Sequence, residues 1–360
     1  MIKLRKIADR LLKSQKIALI CHINPDGDTV GSALALYRAL TKLGKKADIF
    51  CSDEISDKLK YLPFSDRFNV NRETKYDVAA AIDCGDRGRL GLMSEIFDGA
   101  AAAVCVDHHK SNSIKCDDMY VDPLKASTAE IVYSLIKMLA DDYEKMRNKG
   151  KGLAEKGAED SKTLNSGKGA ACDCAIQNDG NGLIDKDIAT LIYAGILTDT
   201  GMFSYSLTSA ETHKIAAELY GYGIAASDIA YNVFKKQAMS AFLLAHRALA
   251  KTRFFMDGKI GVVSFFLKDF EETGSSPDHT EGLVNSVQTV EGVLAAIALT
   301  EIDPTHFRVS IRTKTPVDAA AIAGEFGGGG HTLAAGCRLQ GSYEEITERL
   351  VKAAGDRIYR

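Results

Sequence analysis

Ala101-Ala102-Ala103-Val104-Cys105-Val106-Asp107-His108-His109 is an apolar run that ends in three polar residues. The run reads as a buried strand. Its carboxyl end is where open α/β sheets carry their sites. Two imidazoles beside a carboxylate offer metal ligands with a carboxylate partner.

Working outward, three similar strands precede it. Lys16–Cys21 and Lys46–Cys51 read as strands, with a helix over Gly31–Leu43 between them, and Tyr76–Asp83 reads as a third. Ser127–Leu139 reads as a helix, with Ser127 as N-cap and Glu130 three residues on. Alternation of this kind predicts a parallel sheet covered by helices. From Asp141 to Gly182 large apolar residues almost vanish, which predicts a flexible insertion. Helices are expected again over Ile188–Leu197, Thr208–Tyr220 and Ser227–Lys235, and strands over Ile260–Leu267, Val293–Thr300 and Phe307–Arg312. A helix ending over Ile322–Phe326 should precede the glycine run, and Ala334-Ala335-Gly336 suggests a tightly packed helix start. The expected fold class is α/β: an N-terminal parallel-sheet domain with helices on both faces, plus a smaller C-terminal α/β domain. The expected divisions are 1–205, with insertion 141–182, a helical connector 206–241, and 242–360.

Composition limits the function. The chain has 360 residues, 46% apolar and 26% charged, as in ordinary globular proteins. The net charge of -3 and the lack of a long basic block argue against a partner as long as duplex nucleic acid. Small anionic substrates remain open. No run approaches the roughly 18 apolar residues of a membrane span. The opening Met1-Ile2-Lys3-Leu4-Arg5-Lys6 leads into a mixed amphipathic stretch, not a signal core. A cytoplasmic protein with no membrane partner is expected. Cys21, Cys84 and Cys105 read as core thiols. Cys172 and Cys174 form one lone pair, too few ligands for a structural zinc. Asn178–Asp185 mimics part of a calcium loop, but Gln177 and Ile188 stand where acidic residues are required.

Four acidic clusters fall at comparable places. His22-Ile23-Asn24-Pro25-Asp26-Gly27-Asp28 follows the first strand, and its Pro and Gly force a turn. That turn can aim His22, Asp26 and Asp28 at one point; it could also simply cap the helix. Asp83 ends the third strand, His108 and His109 follow the fourth, and Asp199 follows a further apolar segment. Oxygen and imidazole donors without thiolates suit Mn²⁺, Mg²⁺ or Fe²⁺. His22, Asp26, Asp28, Asp83, His108 and Asp199 are too many ligands for one open catalytic ion and suit two. Further on, Gly327-Gly328-Gly329-Gly330-His331 can bring backbone N–H groups close to a phosphate. Arg312 could pair with phosphate bidentately, or with a surface carboxylate.

The order H-x-N-P-D-G-D, strand-end D, D-H-H, T-D-T-G, R-T-K and G-G-G-G-H-T-x-A-A-G resembles the DHH phosphoesterases that carry the type-one DHH-associated C-terminal domain. Their stand-alone oligoribonuclease branch, the nano-RNases, is most similar in size. The resemblance covers nearly all the chain except 141–182. It implies two divalent ions, Mn²⁺ foremost. His22, Asp26 and Asp83 would hold one, and Asp28, Asp83, His108 and Asp199 the other, with Asp83 bridging. Asp83, His108 and His109 would form the catalytic set. His109, Arg312, Gly328, Gly329, Gly330 and His331 would contact substrate in a cleft between the domains. The implied activity is hydrolysis of very short RNA to nucleoside monophosphates and removal of the 3′-phosphate from 3′-phosphoadenosine 5′-phosphate (pAp). The alternative is a cyclic or linear dinucleotide (c-di-AMP or pApA) phosphodiesterase. A homodimer is compatible. Thr29 stands where the family usually has alanine, and Thr313 where serine follows the arginine.

Overall fold

The computed structural model describes residues 2–70, 75–159, 182–280 and 282–359, with side chains except at 146–159. The chain divides into two compact units, 1–236 and 237–360. Unit 1 runs α1 Ile2–Lys13, β1 Lys16–Cys21, α2 Gly27–Lys42, β2 Lys46–Phe50, β3 Val78–Ile82, α3 Ser94–Gly99, β4 Ala103–Asp107, β5 Asp118–Val121, α4 Thr128–Glu159, α5 Lys186–Asp199, α6 Ala210–Tyr220 and α7 Ala226–Ala230. Its five strands are all parallel, in the order β2-β1-β3-β4-β5.

Both faces of this sheet are buried, which is why its strands are almost wholly apolar. Alternate residues serve two cores. Ile17, Leu19, Cys21, Val78 and Val104 pack with residues of α1, α2, α4 and α5. Ala18, Ile20, Ala79, Ala81 and Cys105 pack with Ile96 and Phe97 of α3. The chain leaves β1 toward β2 on one side and reaches β3 on the other, so the sheet's switch point lies between the carboxyl ends of β1 and β3.

Several boundaries differ from expectation. Helix α2 starts at Gly27 because the Asp26 side chain caps it, accepting from the N–H groups of Asp28 and Thr29. Helix α4 continues to Glu159, so 141–159 is helical where composition predicted a loop. Residues 160–181 of the expected insertion, including Cys172 and Cys174 and the first half of the calcium-like stretch, lie outside the described residues. Ser127 Oγ accepts from the Glu130 N–H at 3.3 Å. The Glu130 carboxylate does not complete a reciprocal box; it accepts from Thr212 Oγ1 at 2.6 Å. The described cysteines are free thiols.

Unit 2 runs α8 Met239–Ala250, β6 Arg253–Phe255, β7 Ile260–Phe265, α9 Leu267–Thr273, α10 Leu283–Gln288, β8 Ala295–Asp303, β9 His306–Thr313, α11 Ala319–Gly324, β10 Gly329–His331, β11 Ala334–Gln340 and α12 Tyr343–Ile358. Its six-stranded mixed sheet has the order β10-β11-β9-β8-β7-β6. One core forms with α11 and α12, another with α8, α9 and α10. The expected helix start at Ala334-Ala335-Gly336 is wrong: these residues open β11, antiparallel to both β9 and β10. Alanine propensity yields to two ladders of hydrogen bonds. Small residues are needed there because the strands crowd Gly328 and Gly330. A Cβ at Gly328 would stand 2.2 Å from the Gly336 carbonyl oxygen, and one at Gly330 2.5 Å from that of Ala334.

Candidate metal centre

Parallel strand ends and two helix ends bring the side chains together. His22 follows β1, Asp83 follows β3, and Asp107 ends β4, with His108 and His109 next. Asp28 lies in the first turn of α2, and Asp199 ends α5. Close packing of those helices sets this pair. A Cβ at Gly31 would meet the Leu191 carbonyl oxygen at 2.5 Å, and one at Gly195 would meet Ala129 Cβ at 2.7 Å and Asp28 Oδ1 at 3.0 Å. Asp83 itself has a left-handed backbone, φ +57°. A branched-off carboxylate in that region stores strain, a common mark of functional positions.

Three groups of donors could each hold a cation: His22, Asp26 and Asp83; Asp28, His108 and Asp199; Asp83, His108 and His109. Within each, the donor atoms lie within 4.8 Å of one another. His22 Nε2 is 3.7 Å from Asp26 Oδ2 and 3.6 Å from Asp83 Oδ2. His108 Nε2 is 3.0 Å from Asp199 Oδ2 and 3.7 Å from Asp83 Oδ1. Asp83 thus stands between two donor groups.

The residues fit cations. His22 is 1% exposed, yet its Nε2 has no hydrogen-bond partner. An orphaned buried nitrogen costs desolvation unless something takes its lone pair. Both ligand-type histidines hold Nδ1 near a backbone carbonyl, His22 at 2.7 Å from Ile23 O and His108 at 3.2 Å from Lys125 O. Such contacts favour the tautomer with the lone pair on Nε2.

Two supports were not legible from the motifs. The N-terminus of α4 faces Asp28: the N–H groups of Thr128 and Ala129 donate to its two oxygens at 2.6 and 2.9 Å. Thr128 Oγ1 also donates to Asp83 Oδ1 at 2.8 Å. Thr29, the departure from the family pattern, donates to the Ile82 carbonyl at 2.8 Å and ties α2 to the end of β3. Asp107 is fully buried and serves as partner rather than donor to a cation. Its Oδ1 accepts from His109 Nδ1 at 2.7 Å, and its Oδ2 from Asn112 Nδ2 at 2.6 Å. His109 is therefore held by Nδ1, leaving Nε2 free. Arg89, also missed, places Nη2 3.0 Å from His22 Nδ1.

Charge crowding perturbs the titrations. Burial and the charges of Asp83, Asp199 and Asp26 push Asp28 well above the usual carboxylate range. Burial likewise raises Asp83, against hydrogen bonding by His22. Burial lowers His22, but Asp26 and Asp83 outweigh it and leave the imidazole up at about 9. His108 reaches about 9 in the same way, through Asp199 and Asp83. Burial raises Asp107, but its bonds from His109 and Asn112 hold it below the usual range.

Residues 16–159 match the N-terminal domain of the DHH family, and residues 259–359 match the DHHA1 domain. The chain belongs to the DHH family. It is 29% identical over 364 residues to the bifunctional oligoribonuclease and PAP phosphatase NrnA of Thermus thermophilus, covering 99% of this chain and 95% of that one. The protein of the same name from Bacillus subtilis is 26% identical over 329 residues, covering 90% and 89%. A crystal structure of an exopolyphosphatase-related protein from Bacteroides fragilis superposes with TM-score 0.81 at 23% identity, covering 99% of this chain and 96% of that one. This last likeness speaks to the DHH fold alone.

In unit 2 of this DHH protein, His331 pairs with Ala334, which pairs with Arg312. Directly opposed residues of antiparallel strands share a face. Arg312 and His331 therefore flank Ala334 on one side of the sheet. Gly329 and Gly330 belong to β10 rather than to an open loop. Thr313 donates from Oγ1 to the Thr332 carbonyl at 3.1 Å. No helix among the described residues is long and apolar enough to cross a membrane.

Proposed function

We propose that this chain is a divalent-metal-dependent phosphohydrolase that degrades very short oligoribonucleotides to nucleoside monophosphates and dephosphorylates pAp. One observation carries the reading: two oxygen-and-imidazole donor groups meet at the buried carboxylate of Asp83. Likeness over nearly the full chain to two bifunctional oligoribonucleases supports the substrate class.

His22, Asp26 and Asp83 would hold one ion, and Asp28, Asp83, His108 and Asp199 a second, with Mn²⁺ suited to such donors. Ions held there would supply a water of lowered pKa and would offset charge on the attacking and leaving oxygens. The remaining work falls to side chains. Thr128 fixes the Asp83 carboxylate through Oδ1. Asp107 sets the His109 ring, so that Nε2 can contact a phosphate oxygen. Arg312 and His331, on one face of the second sheet, with the Gly328–Gly330 backbone, would hold the nucleotide.

The test is turnover of pAp, pApA, a five-nucleotide RNA and a cyclic dinucleotide, assayed in parallel after chelation and again with Mn²⁺ restored. Metal-restored cleavage of short RNA and pAp is expected. Preference for the cyclic compound would move the protein to the dinucleotide phosphodiesterase alternative. No turnover of any of the four would reject the reading.

A further inference from the structure

Arg89 is the one cation of the described residues that touches a candidate metal ligand and belongs to no assigned role. Its backbone is fixed on two sides. Its N–H donates to Asp86 Oδ1 at 3.1 Å, and its carbonyl accepts from the Ile23 N–H at 2.8 Å. The next turn is locked as well: Leu92 N–H donates to Ser52 Oγ at 2.8 Å, and Gly91 has φ +55° with Ile23 and Ser52 packed against it. The guanidinium is thereby presented beside the loop that carries His22 and Asp26. Yet its side chain has no carboxylate partner among the described residues; its contact is His22 Nδ1.

That contact does not satisfy the guanidinium, with or without a cation on His22. A cation on His22 needs the lone pair of Nε2, so the ring proton must stand on Nδ1. Nδ1–H then donates to the Ile23 carbonyl, 2.7 Å away. Arg89 has only donors. It faces that donor in the metal-free protein as well, so the fork is left for another acceptor. Charge balance points the same way. Asp26, Asp28, Asp83 and Asp199 offset two divalent ions, which leaves the charge of an incoming phosphate uncompensated. An arginine fork suits a phosphate bidentately.

We propose that Arg89 is a phosphate anchor of this site: its guanidinium, fixed beside the loop of His22 and Asp26 with no carboxylate partner among the described residues, binds the substrate phosphate. The inference rests on the phosphohydrolase reading and adds a substrate-binding residue to it.

Calorimetry on the full chain tests this in two stages. Mn²⁺ is titrated into metal-free wild type, Arg89→Gln and Arg89→Lys; inorganic phosphate is then titrated into each loaded protein. Hydrogen bonds to charged groups predict a loss of phosphate affinity on the order of tenfold to a hundredfold in Arg89→Gln. Mn²⁺ affinity should hold or tighten, because a nearby cation has gone. Arg89→Lys should recover part of the loss, keeping the charge without the fork. Unchanged phosphate affinity in both variants overturns the proposal. So does a tenfold fall in Mn²⁺ affinity, which would make Arg89 a support of His22. Failure of the functional reading shows separately, as a loaded wild type that turns over neither short RNA nor pAp yet binds phosphate through Arg89.

Discussion

Gly31→Ala tests whether the spacing of α2 and α5 sets the site. The added Cβ would stand 2.5 Å from the Leu191 carbonyl oxygen and 3.1 Å from the Gly195 nitrogen. Ordinary contact begins at 3.4 Å, so the nearer approach is about 0.9 Å too close. Both obstacles are backbone, which no rotamer change can relieve. The helices must separate by a large part of that distance. Overpacking costs roughly 1–3 kcal/mol, and alanine in a helix returns about 1 kcal/mol. A net loss of about 0–2 kcal/mol is expected. Activity should suffer more, because α2 carries Asp28 and α5 carries Asp199. A misplacement near 1 Å costs roughly a hundredfold in rate. Thermal unfolding and Mn²⁺-dependent turnover of pAp should be measured on the same preparation. The expected signature is a small drop in midpoint with a rate loss far beyond it. Wild-type turnover with an unchanged midpoint would refute the argument that this contact positions the donors.

Other outcomes follow from single contacts. Asp83→Asn should nearly abolish turnover while the metal-free fold persists by circular dichroism; wild-type-like activity would sink the two-ion reading. Thr128→Val removes the 2.8 Å bond to Asp83 and should slow turnover on the order of tenfold, from about 1.5 kcal/mol for a bond to a charged group. In the metal-free protein the raised His22 and His108 protons compete with cations, so Mn²⁺ affinity should climb from pH 7 to about 9 and then level, as read by titration calorimetry; a flat profile would refute those shifts. Asp185 caps α5 and pairs with Arg38 and Lys42 of α2, both at 3.1 Å, and Asp185→Ala should cost about 1–2 kcal/mol. Burial opposes it, but its partners depress the Asp185 pKa. The stabilisation is therefore full above the ordinary carboxylate range and lost as pH falls through the lowered folded value, so the wild-type advantage over Asp185→Ala should shrink in acid.

The parallel sheet was legible because its strands are buried on both faces and read as unbroken apolar runs. Lys16–Cys21 was expected to the residue. Asp118–Val121 and Ala334–Gln340 were not. Asp118–Val121 has no fully buried residue and no alternation to announce it. Ala334–Gln340 opens with good helix formers, and only its ladders with β9 and β10 decide otherwise. At the site, the residues in motifs announced themselves, since charge at the end of an apolar strand needs a use. The residues that hold them did not. Thr128 acts through a backbone N–H and a hydroxyl, and Asn112 through one amide hydrogen; neither type is unusual in its stretch of sequence. For Arg89 a signal existed, six residues beyond Asp83 in the same loop, but an arginine in a loop reads first as a surface cation.

The metal-free site is electrostatically costly by construction, and the fold offsets the cost unevenly. Asp28 and Asp83 are buried almost completely, and each raises the pKa of the other or shares neighbours that do. Asp28 gains two backbone N–H bonds at the N-terminus of α4, where a negative charge is favoured. Asp83 gains one hydroxyl bond and the nearby imidazoles of His22 and His108, at 3.6 and 3.7 Å. Protons on His22 and His108 supply the remaining positive charge in the metal-free state. Divalent ions would replace those protons with more charge at the same donor atoms. Ligand binding to the folded state alone stabilises it in proportion to the logarithm of its concentration. The unfolding midpoint of unit 1, which carries all of these donors, should therefore rise with Mn²⁺; a midpoint that stays fixed across Mn²⁺ concentrations would refute this account of the site.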